Sequence, residues 1–144
     1  LKQNDNIGYE TITDYWKDTG TPEDILNANR QVLKHICNDL LEPSIIDKST
    51  NIVITNSVIT PLIIGKNCKI DKSAQVGPSV SIGDNTIISS GVSIENSIIM
   101  SDCKIDGGLH IKDSIISANC HLHGNNKDKT KKVFLLGEGT IISL

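Results

Sequence analysis

The chain is poor in the residues that usually fill a globular core. Its 144 residues include four aromatics, Tyr9, Tyr15, Trp16 and Phe134, and alanine stands only at 28, 74 and 118. A core that draws its buried area from aromatic rings is therefore excluded. An excess of charge is missing too: 14 Lys and Arg against 17 Asp and Glu give a net charge of −3. No surplus of cations is left to neutralise phosphates, which removes nucleic acid as an expected partner. No apolar run approaches the roughly 18–20 residues that span a bilayer. The opening Leu1-Lys2-Gln3-Asn4-Asp5-Asn6 lacks the apolar core of a signal peptide. These absences lead to the expectation of a cytoplasmic protein without a membrane partner. The four cysteines, Cys37, Cys68, Cys103 and Cys120, form no Cys-x-x-Cys pair and have no histidine at zinc-finger distance. They read as small buried thiols in a reducing compartment.

What the chain has in abundance is isoleucine, 24 of its 144 residues. A β-branched side chain is stiff at χ1 and fits the pleated surface of a strand. The expected fold class is mostly β, and the chain divides into two segments of different pattern.

Residues 1–42 hold three of the four aromatics. Ile7 to Ile12 reads as a short strand. Residues 22–41 read as one helix, because Ile25, Leu26, Asn29, Val32, Leu33, Ile36 and Leu40 fall near three- and four-residue spacing. Thr21 suits the N-cap, Pro22 the first helical position, and Glu23 and Asp24 the positive end of the helix dipole. Pro43 ends the pattern. His35 falls on this helix as a surface residue.

From residue 43 the period becomes six. Ile46, Ile52, Val58, Ile64, Ile70, Val76, Ile82, Ile88, Ile94 and Met100 are all apolar. Three residues after each comes a small or turn-forming residue, such as Asn67, Ser79, Asn85 or Gly91. A period of six suits neither a helix nor a hairpin. It suits a parallel β-helix, in which three hexapeptides make one triangular coil and coils stack at a rise of about 4.8 Å. After Met100 the register is expected to slip by one residue, to Ile105 and Ile111, and again to Ile116 and Leu122. Residues 124–132 contain no apolar side chain and read as an exposed loop. Leu136 and Ile142 resume the spacing. Four to five coils follow for residues 43–144.

Apolar residues outside this register, Ile54, Ile59, Ile63, Ile87, Ile98, Ile99 and Ile115, are expected to face outward. Such a surface exceeds what a monomer leaves wet. It implies a homo-oligomer, with a trimer as the expected form.

The hexapeptide run resembles the left-handed parallel β-helix of the hexapeptide-repeat proteins, and the handedness is implied by that resemblance. Gly8-Tyr9-Glu10, followed by Tyr15-Trp16-Lys17-Asp18-Thr19-Gly20-Thr21-Pro22-Glu23-Asp24-Ile25-Leu26-Asn27-Ala28-Asn29-Arg30, resembles the end of a sugar-1-phosphate nucleotidylyltransferase domain. The likeness is nearest to the long-form glucose-1-phosphate thymidylyltransferases, which append a hexapeptide β-helix. It implies that residues 1–42 are the C-terminal remnant of a catalytic domain and that residues 43–144 are an assembly or regulatory β-helix. Asp18 would then be one of two carboxylates on a catalytic Mg2+, Trp16 would line the sugar pocket, and Gly20 would help shape the turn that presents them. The parent enzyme would make a nucleotide sugar, dTDP-glucose first among them, from sugar 1-phosphate and a nucleoside triphosphate.

The family's Gly-rich nucleotide loop and its first metal carboxylate have no counterpart here. The 144 residues alone are therefore expected to hold no catalytic centre and no cofactor, and to depend on their own N-terminal catalytic domain as a partner. A second reading is a hexapeptide acyltransferase module that uses acetyl-coenzyme A, with His110 or His121 as general base.

Overall fold

In the computed structural model, residues 8–13, 15–52, 58–125 and 128–144 are described. Helix α1 spans Pro22–Asp39, 18 residues. Its start follows the sequence reading: the Thr21 hydroxyl accepts from Asp24 N at 3.2 Å, and Pro22 opens the first turn. The helix ends two residues before the expected boundary, with Leu40 as C-cap. Residues 8–12, expected as part of a strand, carry none and are exposed; Ile7 lies outside the described residues.

The remainder is a β-solenoid of about five turns made of three parallel sheets. Sheet A stacks Ser44–Ile46, Leu62–Ile64, Val80–Ile82, Ile98–Ile99, Ile115–Ile116 and Leu135–Leu136. Sheet B stacks Asn51–Ile52, Lys69–Ile70, Ile87–Ile88, Lys104–Asp106, His121–His123 and Ile141–Ser143. Sheet C has four strands, Gln75–Val76, Ser93–Glu95, His110–Lys112 and Lys131–Lys132. The expected loop 124–132 thus gives up its last two residues to an edge strand.

Inside the prism the side chains stack by type. Ile64, Ile82, Ile99 and Ile116 form the inner row of sheet A, Ile70, Ile88, Ile105 and Leu122 that of sheet B, and Val76, Ile94 and Ile111 that of sheet C. Each fully buried branched side chain contributes about 1.5–3 kcal/mol, so stacked aliphatics replace the missing aromatic core. Phe134 is the one aromatic that joins them.

One expected position is corrected. Met100 is 44% exposed, and Ile99 is the buried residue of that rung. The register slips before Met100, at the corner between Ile94 and Ile99, and again between Ile111 and Ile116. At both corners a serine stands in the bend. Ser97 and Ser114 are fully buried, and each hydroxyl donates to a carbonyl two residues back, Ser97 to Glu95 O at 2.7 Å and Ser114 to Lys112 O at 2.8 Å. Each also accepts from the turn above, from Ser114 N at 3.1 Å and from Phe134 N at 2.9 Å. The hydroxyl closes a corner one residue shorter than the step from Val76 to Ile82 on the same edge, and burying it costs little because both its donor and its acceptor functions are used.

Three of the four cysteines line another inner corner, between sheets A and B, in the column Thr50, Cys68, Thr86, Cys103 and Cys120. Thr50 Oγ1 donates to Gly65 O at 2.5 Å and Thr86 Oγ1 to Met100 O at 3.1 Å. The thiols of Cys68, Cys103 and Cys120 donate to Gly83, Ser117 and Gly137 carbonyls, each at 3.1 Å. Burial pushes the Cys68 and Cys103 thiols above their ordinary pKa. All four cysteines are buried and unpaired, the state expected from the sequence.

Helix α1 lies across the outer face of sheet A. It buries Leu26, Leu33 and Cys37. Leu26 shares a cleft with Asn96, Asp113 and Leu135, Asn29 reaches Ser81, and Cys37 shares a cleft with Thr60 and Pro61. The helix therefore runs from the last turns of the solenoid back to the first. At about 1.5 Å per residue its length matches the roughly 24 Å of a six-strand stack. This placement corrects the expected outer surface. Ile63, Ile98 and Ile115 do face outward, but they are half-buried on the sheet that α1 covers. Ile99 points into the core. Ile59 and Ile87 stay exposed, and Ile54 lies outside the described residues.

Candidate functional site

The segment that carries the catalytic resemblance precedes α1. Trp16 is 69% exposed, and Asp18 and Gly20 are exposed beside it. The Lys17 ammonium pairs with Asp24 in the first turn of the helix at 2.7 Å. The hydrogen bond and charge of Asp24 raise the Lys17 pKa, and Lys17 with the Thr21 hydroxyl lowers that of Asp24. Thr21 Oγ1 completes the link by donating to Asp24 Oδ2 at 2.7 Å. The turn Trp16–Gly20 is thus tied to the helix start. A groove of about 700 Å³ lies beside it, lined by Thr13, Tyr15, Gln31, Val32, His35 and Ile36. Neither Trp16 nor Asp18 lines that groove.

Asp18 offers one carboxylate, and the described residues contain no group of three His, Cys, Asp or Glu side chains that could hold a metal ion. The described residues do not build a magnesium site by themselves.

The two histidines considered as acyl-transfer bases stand apart. His110 is half-buried on sheet C, while His121 lies on sheet B. His121 and His123 flank the Asp106 carboxylate on the neighbouring strand: His121 Nε2 is 3.4 Å from Asp106 Oδ2, and His123 Nδ1 lies against Oδ1. Lys104 Nζ adds a cation at 3.5 Å. The sequence reading singled out His121 but missed Asp106, whose place beside it depends on a stacking distance of 17 or 18 residues that the slips obscure. His35, read as a surface residue, is exposed and faces Asp39 at 3.3 Å.

Burial works against ionisation of Asp106, but its hydrogen bonds to His123 and His121 and the nearby charge outweigh it, and the carboxyl is held below the usual range. A depressed carboxyl pKa stabilises the fold above the unfolded value of about 3.9, and the contribution fades as pH falls through the folded value. Asp106→Asn is accordingly expected to lower the urea midpoint at pH 7, and to lower it less at a pH below the unfolded carboxyl value of about 3.9. A gap of equal size at both pH values would show that the ionised carboxylate is not what stabilises this corner.

A solenoid of stacked six-residue sides, with one amphipathic helix laid on its first sheet, places the chain among the hexapeptide-type β-helix domains. The chain belongs to the family described as GMPPB C-terminal domain, whose profile matches residues 58–143. It is 37% identical over 110 residues to a glucose-1-phosphate thymidylyltransferase of Streptomyces antibioticus, a match covering 67% of this chain and 29% of that protein. The corresponding protein of Streptomyces griseus is 29% identical over 110 residues, with the same coverages. A probable mannose-1-phosphate guanyltransferase of Schizosaccharomyces pombe is 46% identical over 48 residues, 33% of this chain and 12% of that protein. The homologues are sugar-1-phosphate nucleotidyltransferases, and the chain spans less than a third of their length. No helix among the described residues is long and apolar enough to cross a membrane.

Proposed function

We propose that this chain is the C-terminal region of a sugar-1-phosphate nucleotidyltransferase, and that its solenoid serves the assembly of that enzyme and not its chemistry. The observation that carries the reading is the coincidence of two independent likenesses: the solenoid matches the C-terminal family over residues 58–143, and residues 15–30 resemble the end of the catalytic domain. In this reading residues 1–42 close the catalytic domain. Asp18 supplies one carboxylate to a Mg2+ whose remaining ligands come from that domain, and Trp16 and Gly20 border the sugar. A divalent cation there would offset the charge of the phosphates brought together. The nucleotide sugar is dTDP-glucose, and the enzyme acts in the cytoplasm.

The test uses the full chain with its catalytic domain. It is expected to release pyrophosphate from dTTP and glucose 1-phosphate. Asp18→Asn is expected to lower that rate at least about 10-fold, the loss typical of disturbing the groups around a metal. A full rate with Asp18→Asn would remove Asp18 from the centre. A preference for GTP and mannose 1-phosphate would move the enzyme to the guanylyl class.

A further inference from the structure

Helix α1 rests on a row of side chains that is uniform except at one place. The outward row of sheet A is Ile45, Ile63, Ser81, Ile98, Ile115 and Leu135, one residue per turn. Ser81 is its one polar member. The inner stripe of α1 contains Leu26, Asn29, Leu33 and Cys37, and Asn29 is likewise its one polar member. The two odd residues meet. Ser81 Oγ donates to Asn29 Oδ1 at 2.6 Å, and Asn29 Nδ2 reaches Ser79 O at 3.5 Å.

A helix laid across evenly spaced isoleucines has little to choose between neighbouring positions, because a shift of one rung, about 4.8 Å, presents nearly the same apolar surface. A polar pair inside such an interface breaks that degeneracy. Asn29 and Ser81 are half-buried, and any other register sets them against isoleucine, where the side of each that the helix covers loses its hydrogen-bond partner. A lone buried asparagine sets the register of coiled coils in the same way. The consequence reaches the N-terminal end of the helix, where the Thr21 cap and the Lys17–Asp24 ion pair tie the Trp16–Gly20 turn to α1.

We propose that Asn29 and Ser81 form a register pin, and that they are positioning residues through which the solenoid fixes where the Trp16–Gly20 turn stands. The second half of this statement rests on the proposed nucleotidyl-transfer reading; the first does not.

The test replaces both residues by the side chains that continue their rows, Asn29→Leu with Ser81→Ile. The readout is the set of nuclear Overhauser contacts between the methyl groups of Leu26 and Leu33 and those of Ile63, Ile98 and Ile115. The native chain is expected to give one set. The double variant is expected to give a second set, displaced by one rung, without a fall in thermal midpoint. A single native set in the double variant overturns the pin. Ser81→Ala, which adds no volume, carries the same expectation and serves if the double variant does not fold. In the full chain, the double variant is expected to raise KM for sugar 1-phosphate about threefold or more with no loss of thermal stability. An unchanged KM alongside a split register overturns the positioning role alone. A native full chain that transfers no nucleotidyl group overturns the positioning role with the nucleotidyl-transfer reading, and leaves the methyl result to decide the pin.

Discussion

Gly107→Ala is expected to cost about 2–4 kcal/mol of stability, one of the largest losses a single added methyl can cause in the solenoid. Gly107 has φ of +72°, a conformation that L side chains rarely adopt. A Cβ placed there would stand 2.0 Å from Gly124 O and 2.6 Å from Gly124 C and N. Those atoms belong to the backbone of the next turn, which is fixed by Gly124 N donating to Asp106 O at 3.2 Å. Relief requires the two turns to separate at this corner, and the stacked core beneath would open with them. Overpacking of about 1–3 kcal/mol adds to about 1 kcal/mol for the left-handed backbone. Gly139 provides the control. Its φ is +69°, but a Cβ there meets nothing within 4 Å, so Gly139→Ala is expected to show the backbone cost alone, about 1 kcal/mol. Urea unfolding of the two variants separates the contributions. Equal losses would show that the close approach of the turns at Gly107 does not matter.

The second large effect is expected from Ile105→Ala, a loss of about 2–5 kcal/mol. Ile105 is fully buried and stacks between Ile88 below and Leu122 above. A globular core can partly collapse onto a deleted side chain. Here the rungs are held apart by parallel ladder hydrogen bonds on all three sides, so the cavity persists and the loss should fall in the upper half of that range. Leu135→Ala, on the outer row and 57% exposed, is expected to change stability by less than about 0.5 kcal/mol. A denaturant midpoint for Ile105→Ala as close to native as that of Leu135→Ala would mean that the isoleucine stack is not the main source of stability.

The reading of the sequence succeeded where one residue decides one feature. Thr21, Pro22 and Asp24 marked the helix start because a cap is a local interaction across three residues. The six-residue period marked the solenoid because each side of the triangle repeats the same requirement: one aliphatic residue inside, then a residue that tolerates a bend. It failed at one isoleucine doublet. In Ile98-Ile99 either residue could face inward by hydropathy, whereas Ile64, Ile88 and Ile116 were placed inward by their spacing and are buried. The reading that kept Met100 in register was wrong because Ile99 pairs with Ile82 below and Ile116 above, and strand pairing overrules spacing. The corner serines that absorb the two deletions, Ser97 and Ser114, carried no distinguishing signal of their own. The Thr and Cys column was hidden for the same reason, since its members align only after the slips are placed. The catalytic likeness of Trp16–Gly20 was legible as a run of residues. That these residues stand exposed at the head of α1, with neither Trp16 nor Asp18 lining the groove beside them, was not.

Residues close together in the chain were enough to set the local geometry: short strands at a six-residue period, the cap of α1, and an aliphatic interior that dispenses with aromatic rings. These follow from the torsional preferences and hydropathy of residues close together in the chain. Long-range packing alone settled that Ile99 and not Met100 is buried at its rung, that α1 covers the outward row of sheet A, and that Asn29 meets Ser81 across 52 positions of chain. Those outcomes depend on which surfaces are brought together, and the free energy of such a contact belongs to the pair and to neither residue alone.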